Sequence, residues 1–224
     1  MVARAAGPAR RRGRPADQDS QVTRATILTA AQRLFGSAGF KGVTMEQLAR
    51  ECDLTVRALY HYFPSKRDLL QAATDDALAR FGAEIVDHVF VHEALTDRIR
   101  GFIEVYRVLH ESDPQVLAFI GMALVDAISS DPPAGGPASS ASGQALESAS
   151  APVVALNEAL VADAVARGDL ADGVDVEGAR SLLEMFGMGL ALASIGDTSR
   201  FLSMLDTLER LNAGALYREP FGPV

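Results

Sequence analysis

The sequence has little of several features that define other classes of protein. Cys52 is the single cysteine among 224 residues, which excludes an intramolecular disulfide framework and a multi-cysteine zinc site. The longest apolar runs span residues 116–125 and 185–196, and both are shorter than the roughly 18 residues that a membrane-spanning helix needs. No apolar stretch follows the basic N-terminus, so it does not resemble a secretory signal. We therefore expect a soluble, cytoplasmic protein.

Charge is distributed unevenly along the chain, although the formal net charge is only −8. Residues 1–67 carry 12 Lys and Arg against 5 Asp and Glu, whereas residues 68–224 carry 9 against 24. A basic N-terminal part suits a polyanion, and DNA or RNA is the natural candidate because phosphate contacts use clustered basic side chains. The alternative is a solvated basic tail that has no partner.

The pattern of apolar residues predicts an all-α protein. From Ser20 onwards apolar residues recur at helical spacing, and no useful stretch alternates as a β-strand would. Residues 1–19 hold arginines among Ala, Gly and Pro, which predicts a disordered basic arm. Residues 132–152 include 18 that are Ala, Gly, Pro or Ser, and this composition predicts a flexible loop.

Two short helices joined by a tight turn are predicted over residues 44–62. Thr44 and Gln47 form a capping-box pattern, Thr55 caps the second helix, and Pro64 ends it. Gly39 is placed to end the helix before this pair, and Ser65 is expected to cap the longer helix after it. The length and spacing match a helix-turn-helix, whose second helix lies in the major groove of DNA. The face expected to pack on the preceding helix holds Leu48, Ala49, Leu54, Leu59 and Phe63. The face expected to meet DNA holds Thr55, Val56, Arg57, Tyr60 and His61.

Residues 21–75 resemble the N-terminal region of the TetR-type transcriptional regulators. The first matching stretch is Ile27-Leu28-x-Ala30-Ala31-x-x-Leu34-Phe35-x-x-x-Gly39-Phe40. The second is Thr44-x-x-x-Leu48-Ala49-x-x-Cys52-Asp53-Leu54-Thr55, and the third is Leu59-Tyr60-His61-Tyr62-Phe63-Pro64-Ser65-Lys66-Arg67-Asp68-Leu69-Leu70.

The resemblance implies a role for individual residues. Tyr60 and Lys66 would contact phosphates, Val56 and Arg57 would read base edges, and Thr44 would cap its helix. Two positions depart from the family pattern, since Asp53 and Arg57 stand where members usually or often have glycine. Asp53 fits a left-handed turn less well than glycine, and Arg57 is expected to change which operator is read.

The resemblance also implies the organisation of the whole chain. It implies a three-helix DNA-binding domain at 20–67 and a larger helical ligand-binding and dimerisation domain at 68–224. The expected function is a ligand-responsive regulator, most often a repressor, that binds a palindromic operator as a dimer. A mainly apolar small molecule would release it, and neither a cofactor nor a catalytic residue is predicted. The alternatives are an all-helical enzyme with an incidental basic N-terminus, and a DNA-binding regulator that responds to no ligand.

Candidates for the effector pocket and the dimer interface come from residue type alone. A cavity of this kind favours aromatic residues and Met, although most such residues are ordinary core. The effector candidates are Phe81, His88, Phe102, Tyr106, Phe119, Met122 and Met185. Dimerisation is expected through helices at 176–195 and 198–213, using Ala179, Leu183, Gly187, Leu190, Ala191, Leu202, Leu205 and Leu208.

Four further motifs have a plain interpretation beside a functional one. The arginines of residues 10–15 could enter a minor groove, but a non-specific basic tail is favoured. His88 and His92 have metal-ligand spacing without a third ligand in the sequence, so no metal site is predicted. Gly187 and Gly189 could belong to a nucleotide-binding loop, but such a loop follows a strand and these residues follow none. They are therefore assigned to close helix packing. Cys52 is assigned to a buried turn rather than to redox sensing.

Overall fold

The structure is a computed structural model that describes residues 16–129, 141, 144–146, 151–170, 172–195 and 197–214. Within those ranges it contains helices and no strand, which confirms the all-α prediction. The helices are α1 (Ala16–Gly42), α2 (Met45–Glu51), α3 (Val56–Tyr62), α4 (Lys66–His88), α5 (Leu95–Ser112), α6 (Pro114–Ser129), α7 (Ala151–Arg167), α8 (Val176–Ala193) and α9 (Thr198–Asn212). None of the helices in this part of the chain is long and apolar enough to cross a membrane.

Helix α1 begins at Ala16, ahead of the predicted start at Ser20. Residues 16–19 were assigned to the disordered arm but are helical, and residues 1–15 lie outside the described residues. At the other end, Gly39 has φ 69° and ψ 168°, so the regular helix breaks at the residue that the sequence predicts.

Side-chain caps start the next three helices as predicted. The Thr44 hydroxyl accepts from the Gln47 amide at 3.2 Å, while the Gln47 side chain accepts from the Thr44 amide at 2.7 Å. Thr55 accepts from the Ala58 amide at 3.1 Å, and Ser65 accepts from the Asp68 amide at 3.1 Å. Because each cap satisfies a backbone donor that the helix leaves unpaired, the boundaries of α2, α3 and α4 are set locally.

The first three helices enclose a continuous apolar core with the start of α4. Its fully buried side chains include Ile27 and Ala31 of α1, Leu48 of α2, Leu59 of α3 and Leu69 of α4. The predicted inner face of the helix pair is therefore confirmed, with Leu54 only partly buried against this core. Burial of these side chains orients the opposite face of α3 towards solvent.

Helix α6 of the second domain lies between α1 of the first domain and α8 of its own domain. A Cβ atom added to Gly36 of α1 would stand 3.3 Å from the Phe119 Cα of α6. A Cβ atom on Gly121, on the other side of α6, would collide with the Ala191 carbonyl oxygen of α8. These close approaches bring α6 near the backbone of both neighbours. Helix α9 packs on α5.

The segment predicted as a flexible loop is in part packed helix. Most of residues 132–152 lie outside the described residues, but 141 and 144–146 are helical. Ala145 is buried against α4, and its carbonyl accepts from the Gln71 side chain at 3.3 Å. Helix α7 already begins at Ala151. The prediction was wrong for these residues because average composition conceals a short apolar pair, Ala145 and Leu146, that can pack.

Candidate nucleic-acid interface

The turn between α2 and α3 sets the angle at which the second helix leaves the first. Cys52 ends α2, and Asp53 follows with φ 53°, the left-handed conformation expected at this position. The Leu54 amide then donates to the Ala49 carbonyl at 2.8 Å, which closes the turn. Burial, and next the charge of Glu51, raise the pKa of the Cys52 thiol. A thiol held protonated agrees with its assignment to a turn rather than to redox sensing.

Helix α3 has one buried face and one exposed face. Leu59 is fully buried, whereas Arg57, Tyr60 and His61 are exposed, with Tyr60 at 46%. Thr55 is exposed at the start of the helix and caps it. Val56 differs from the prediction, because it is partly buried against the core. The outward face therefore consists mainly of one guanidinium, one phenol, one imidazole and one hydroxyl.

Two cations on neighbouring helices lie over aromatic rings of this domain. The Lys66 ammonium at the start of α4 is 4.2 Å from the centroid of Phe40. The Arg24 guanidinium on α1 is 5.2 Å from the centroid of Phe63, the residue that ends α3. Burial lowers the pKa of Lys66 from its usual value. Both contacts restrict where a flexible cationic side chain can lie.

Arg24 is a functional candidate that sequence reasoning missed. It lies in the first half of α1, and its contact with the Phe63 ring places its guanidinium beside the C-terminal end of α3. The signal available in the sequence was only the excess of basic residues before residue 68. Its proximity to α3 depends on how α1 crosses the helix pair, which periodicity does not specify.

Thr44 is exposed and caps α2, the role that the resemblance implies.

The seven effector candidates lie in four separate places. Phe81, Phe102 and Tyr106 form one buried cluster, with ring centroids 5.4 to 6.3 Å apart. The Tyr106 hydroxyl donates to the Gly187 carbonyl at 2.8 Å, and burial raises the pKa of this phenol. The remaining four are dispersed: Phe119 and Met122 between α1 and α6, Met185 on the exposed surface of α8, and His88 beside Glu84. No single cavity of the described residues contains all seven.

Two of the apolar hollows among the described residues bear on the effector. One, of about 150 Å³, lies between α1, α4 and α6, and Phe35, Phe40, Leu70 and Met122 contribute to its wall. The other, of about 310 Å³, lies between α5, α7 and α8. Its wall includes Leu95, Ile99, Leu160, Ala164, Leu182 and Leu183, none of which is an effector candidate from the sequence. Among the described residues no group of three or more His, Cys, Asp or Glu could hold a metal ion.

The residues chosen for the dimer interface mostly face the interior of their own subunit. Leu190, Ala191 and Leu205 are buried, and Gly187 lies against the Phe102 ring. Leu183, Leu202 and Leu208 are partly buried against the same core. Sequence periodicity identified an apolar stripe correctly, but it could not indicate whether the stripe meets the same chain or another copy.

This arrangement defines a helix-turn-helix protein with a larger all-helical second domain. Residues 27–73 match the sequence model of the family described as bacterial regulatory proteins, tetR family. Over 119 residues the chain is 33% identical to the HTH-type transcriptional regulator UidR of Escherichia coli (strain K12). That alignment covers 46% of this chain and 59% of UidR, so the chain spans about three fifths of the length of this curated relative.

Solved structures extend the similarity of fold over most of the chain. Salmonella enterica GusR has a TM-score of 0.61 at 24% identity, covering 87% of this chain and 95% of GusR. The regulator FadR of Bacillus subtilis, solved in complex with stearoyl-CoA, has a TM-score of 0.66 at 13% identity. It covers 86% of this chain and 99% of that one. The chain is therefore similar in residues 27–73 to bacterial regulators of the tetR family, and most of it shares the fold of these solved structures.

Proposed function

We propose that the protein is a dimeric repressor that binds a palindromic DNA operator through α3 and is released by a small, mainly apolar effector. The observation that carries the proposal is the outward face of α3. Arg57, Tyr60 and His61 are exposed there, while Leu59 anchors the helix from the opposite side. The proposal divides the chain into a DNA-binding domain at 20–67 and a ligand-binding and dimerisation domain at 68–224.

In this proposal the DNA contacts divide into base reading and phosphate binding. Arg57 reads a base, because a guanidinium can donate two parallel hydrogen bonds to guanine in the major groove. It forms no ion pair with the residues that the structure describes, so its donors are available. Tyr60, Lys66 and Arg24 bind phosphates beside α3, and Thr55 and His61 border the same face. Val56 contributes its exposed part to base contacts.

The proposed dimer uses the outer faces of α7 and α8 instead of α8 and α9. Met185 and Met188 of α8 are 69% and 41% exposed, which is unusual for large apolar side chains. Helix α7 exposes a stripe of small residues, namely Ala151, Val154, Ala155, Ala159, Ala162, Val165 and Ala166. A second copy of the chain would cover both faces, and the small side chains permit close helix packing. Helix α9 is left out of the proposed interface because it already packs on α5 of its own subunit.

We propose the hollow between α5, α7 and α8 as the entrance for the effector. Its wall is almost entirely apolar, which favours an apolar ligand with few polar groups. Ile99 in this wall and Phe102 in the aromatic cluster are three residues apart on α5, so they share a face of the helix. The effector would therefore contact the cluster of Phe81, Phe102 and Tyr106. FadR, solved with stearoyl-CoA, is a structural neighbour that binds a ligand with a long apolar chain.

Selection from a random duplex library tests the central claim. Purified protein is expected to enrich DNA with two-fold symmetry, and Arg57→Ala is expected to enrich a less specific set. Arg100→Ala is the matched control, since Arg100 is exposed on α5 and pairs with Asp97 of the same helix. Absence of any enriched duplex would overturn the proposal. If the protein binds a duplex but no apolar compound changes its affinity for that duplex, it is instead the regulator that responds to no ligand.

Because it acts on the chromosome, the proposed repressor works in the cytoplasm.

A further inference from the structure

A polar network links α1 of the DNA-binding domain to α4. Gln32 lies in the middle of α1 and is only 1% exposed. Its amide nitrogen donates to the Ala73 carbonyl at 2.9 Å and to an Asp76 carboxylate oxygen at 2.9 Å. Its amide oxygen accepts from the guanidinium of Arg80. Both donor hydrogens and the acceptor oxygen of one buried side chain are thus engaged by α4.

Arg80 extends the same network to the start of α6. Its Nη1 lies 2.7 Å from an Asp113 carboxylate oxygen, and its Nη2 lies 3.0 Å from Asp76. Asp113 separates α5 from α6. One guanidinium therefore joins the DNA-binding domain, α4 and the α5–α6 junction.

This network restricts the relative placement of the two domains more tightly than apolar contacts do. Hydrogen bonds need donor and acceptor within a few tenths of an ångström and in line, whereas buried apolar side chains tolerate a shift with partial repacking. A buried amide that loses its partners is costly. Partly exposed ion pairs add little net stability, and the side chains of Arg80 and Asp113 are 36% and 28% exposed. The main consequence of the network is therefore geometric.

We propose that Gln32 and Arg80 are positioning residues for DNA binding: they set the orientation of the DNA-binding domain, and so the separation of the two α3 helices in a dimer. Neither residue contacts DNA in this proposal. The inference rests on the proposed function, because a separation between recognition helices matters only to a dimer that binds two half-sites.

The test compares two variants with a matched control. Gln32→Met keeps the length of the side chain and removes its hydrogen bonds, while Asp76 and Arg80 remain paired with each other. Arg80→Met removes the guanidinium that joins Gln32, Asp76 and Asp113. Arg107→Met is the control, because Arg107 on α5 also pairs with several carboxylates: Asp206 at 3.0 Å and Glu209 at 3.3 Å on α9, and Glu104 at 3.3 Å on its own helix. That network lies entirely within the second domain and does not involve α1.

The probes are duplexes built from the half-site that the wild-type protein selects from a random library. One set carries a single half-site, and the other carries two half-sites whose separation is altered by one base pair at a time. Wild type and Arg107→Met are expected to prefer one separation by about tenfold or more. Gln32→Met and Arg80→Met are expected to lose most of that preference while binding a single half-site within about twofold of wild type.

Two outcomes would overturn the inference. If Gln32→Met keeps the wild-type preference for one separation, the network does not set the distance between the recognition helices. If both variants lose single-half-site and paired-site binding in equal proportion, the network only stabilises the fold. Melting temperature and sedimentation equilibrium confirm that each variant is folded and has the oligomeric state of wild type. If the wild-type protein selects no duplex, the proposed function itself is wrong. Failure of the proposed function is thereby distinguished from failure of this inference.

Discussion

The Lys66 ammonium lies 4.2 Å from the centre of the Phe40 ring, so a residue of α4 is held against the end of α1. The contact restrains Lys66 near the start of α4, where the resemblance to the TetR family implies a phosphate contact. Burial at this place also lowers the pKa of Lys66 below that of a free lysine. A restrained cation loses less side-chain freedom when it binds an anion.

Lys66→Ala is expected to weaken binding to every duplex alike. Loss of one phosphate contact should reduce the slope of log affinity against log salt by about 0.9 for each half-site. Phe40→Leu keeps the charge and removes the ring, so it should lower affinity without changing that slope. Anisotropy titrations at several salt concentrations measure both quantities. If Lys66→Ala leaves the slope as it is in wild type, Lys66 does not contact phosphate.

Arg57→Ala is expected to relax base recognition. It should cost about 1–3 kcal/mol per half-site on the selected operator and reduce discrimination at one G·C pair. Tyr60→Phe removes only a hydroxyl that is proposed to contact phosphate, so it should weaken all operator variants equally. Binding across a set of single-base operator variants distinguishes the two roles. Equal weakening of every variant by Arg57→Ala would contradict base reading and leave DNA binding intact.

Met185→Glu is expected to convert the dimer into a monomer. A carboxylate placed in the proposed apolar interface would lose its hydration without gaining a partner, which costs several kcal/mol. Leu211→Glu is the control, because Leu211 is 48% exposed on α9, outside the proposed interface. Sedimentation equilibrium at micromolar concentration gives the oligomeric state. A Met185→Glu protein that remains dimeric would show that α8 is not central to the interface.

Gly121→Ala is expected to destabilise the fold. Its new methyl group would meet the Ala191 carbonyl and the Ile195 side chain, forcing α6 and α8 apart. Overpacking of this kind costs about 1–3 kcal/mol. Gly82→Ala, also within a helix, is the control because its methyl group would meet only a Leu156 carbon at 3.9 Å. Removal of a helical glycine should stabilise that variant by about 0.5–1 kcal/mol, and urea denaturation measures both changes.

His110 is expected to make the protein less stable in mild acid. It is buried against the Phe201 ring, its Nδ1 has no hydrogen-bond partner in the described part of the chain, and burial lowers its pKa. The unfolded chain therefore takes up this proton first as pH falls below the ordinary histidine value of about 6.5. The free energy of unfolding should fall from that pH down to the lowered pKa.

His110→Phe provides the measurement for this effect. The variant should lose less stability than wild type between pH 7 and about pH 5, as recorded by urea denaturation at each pH. His92→Phe is the control, since His92 is exposed in the turn between α4 and α5. Identical pH dependence in wild type and His110→Phe would mean that His110 is not responsible.

The sequence by itself determined the local structure of the DNA-binding domain. Thr44, Thr55 and Ser65 cap helices that begin where the sequence predicts, and Gly39 and Asp53 take positive φ values at the expected turns. Each of these features depends on interactions between residues a few positions apart. The family resemblance rests on the same stretch, because the motif consists of such local signals and the residues between them.

Only the tertiary structure decided which apolar faces turn inward and which polar groups meet. Periodicity marked α8 and α9 as apolar, but Leu190 and Leu205 are buried within the subunit while Leu182 and Met185 are exposed. Likewise, Gln32 and Arg80 are 48 residues apart in the sequence, and they meet only because α1 crosses α4. Helical periodicity carries no information about what a stripe packs against, since the same pattern serves a core and an interface. Contacts between distant residues follow from helix packing, which a single sequence does not encode locally.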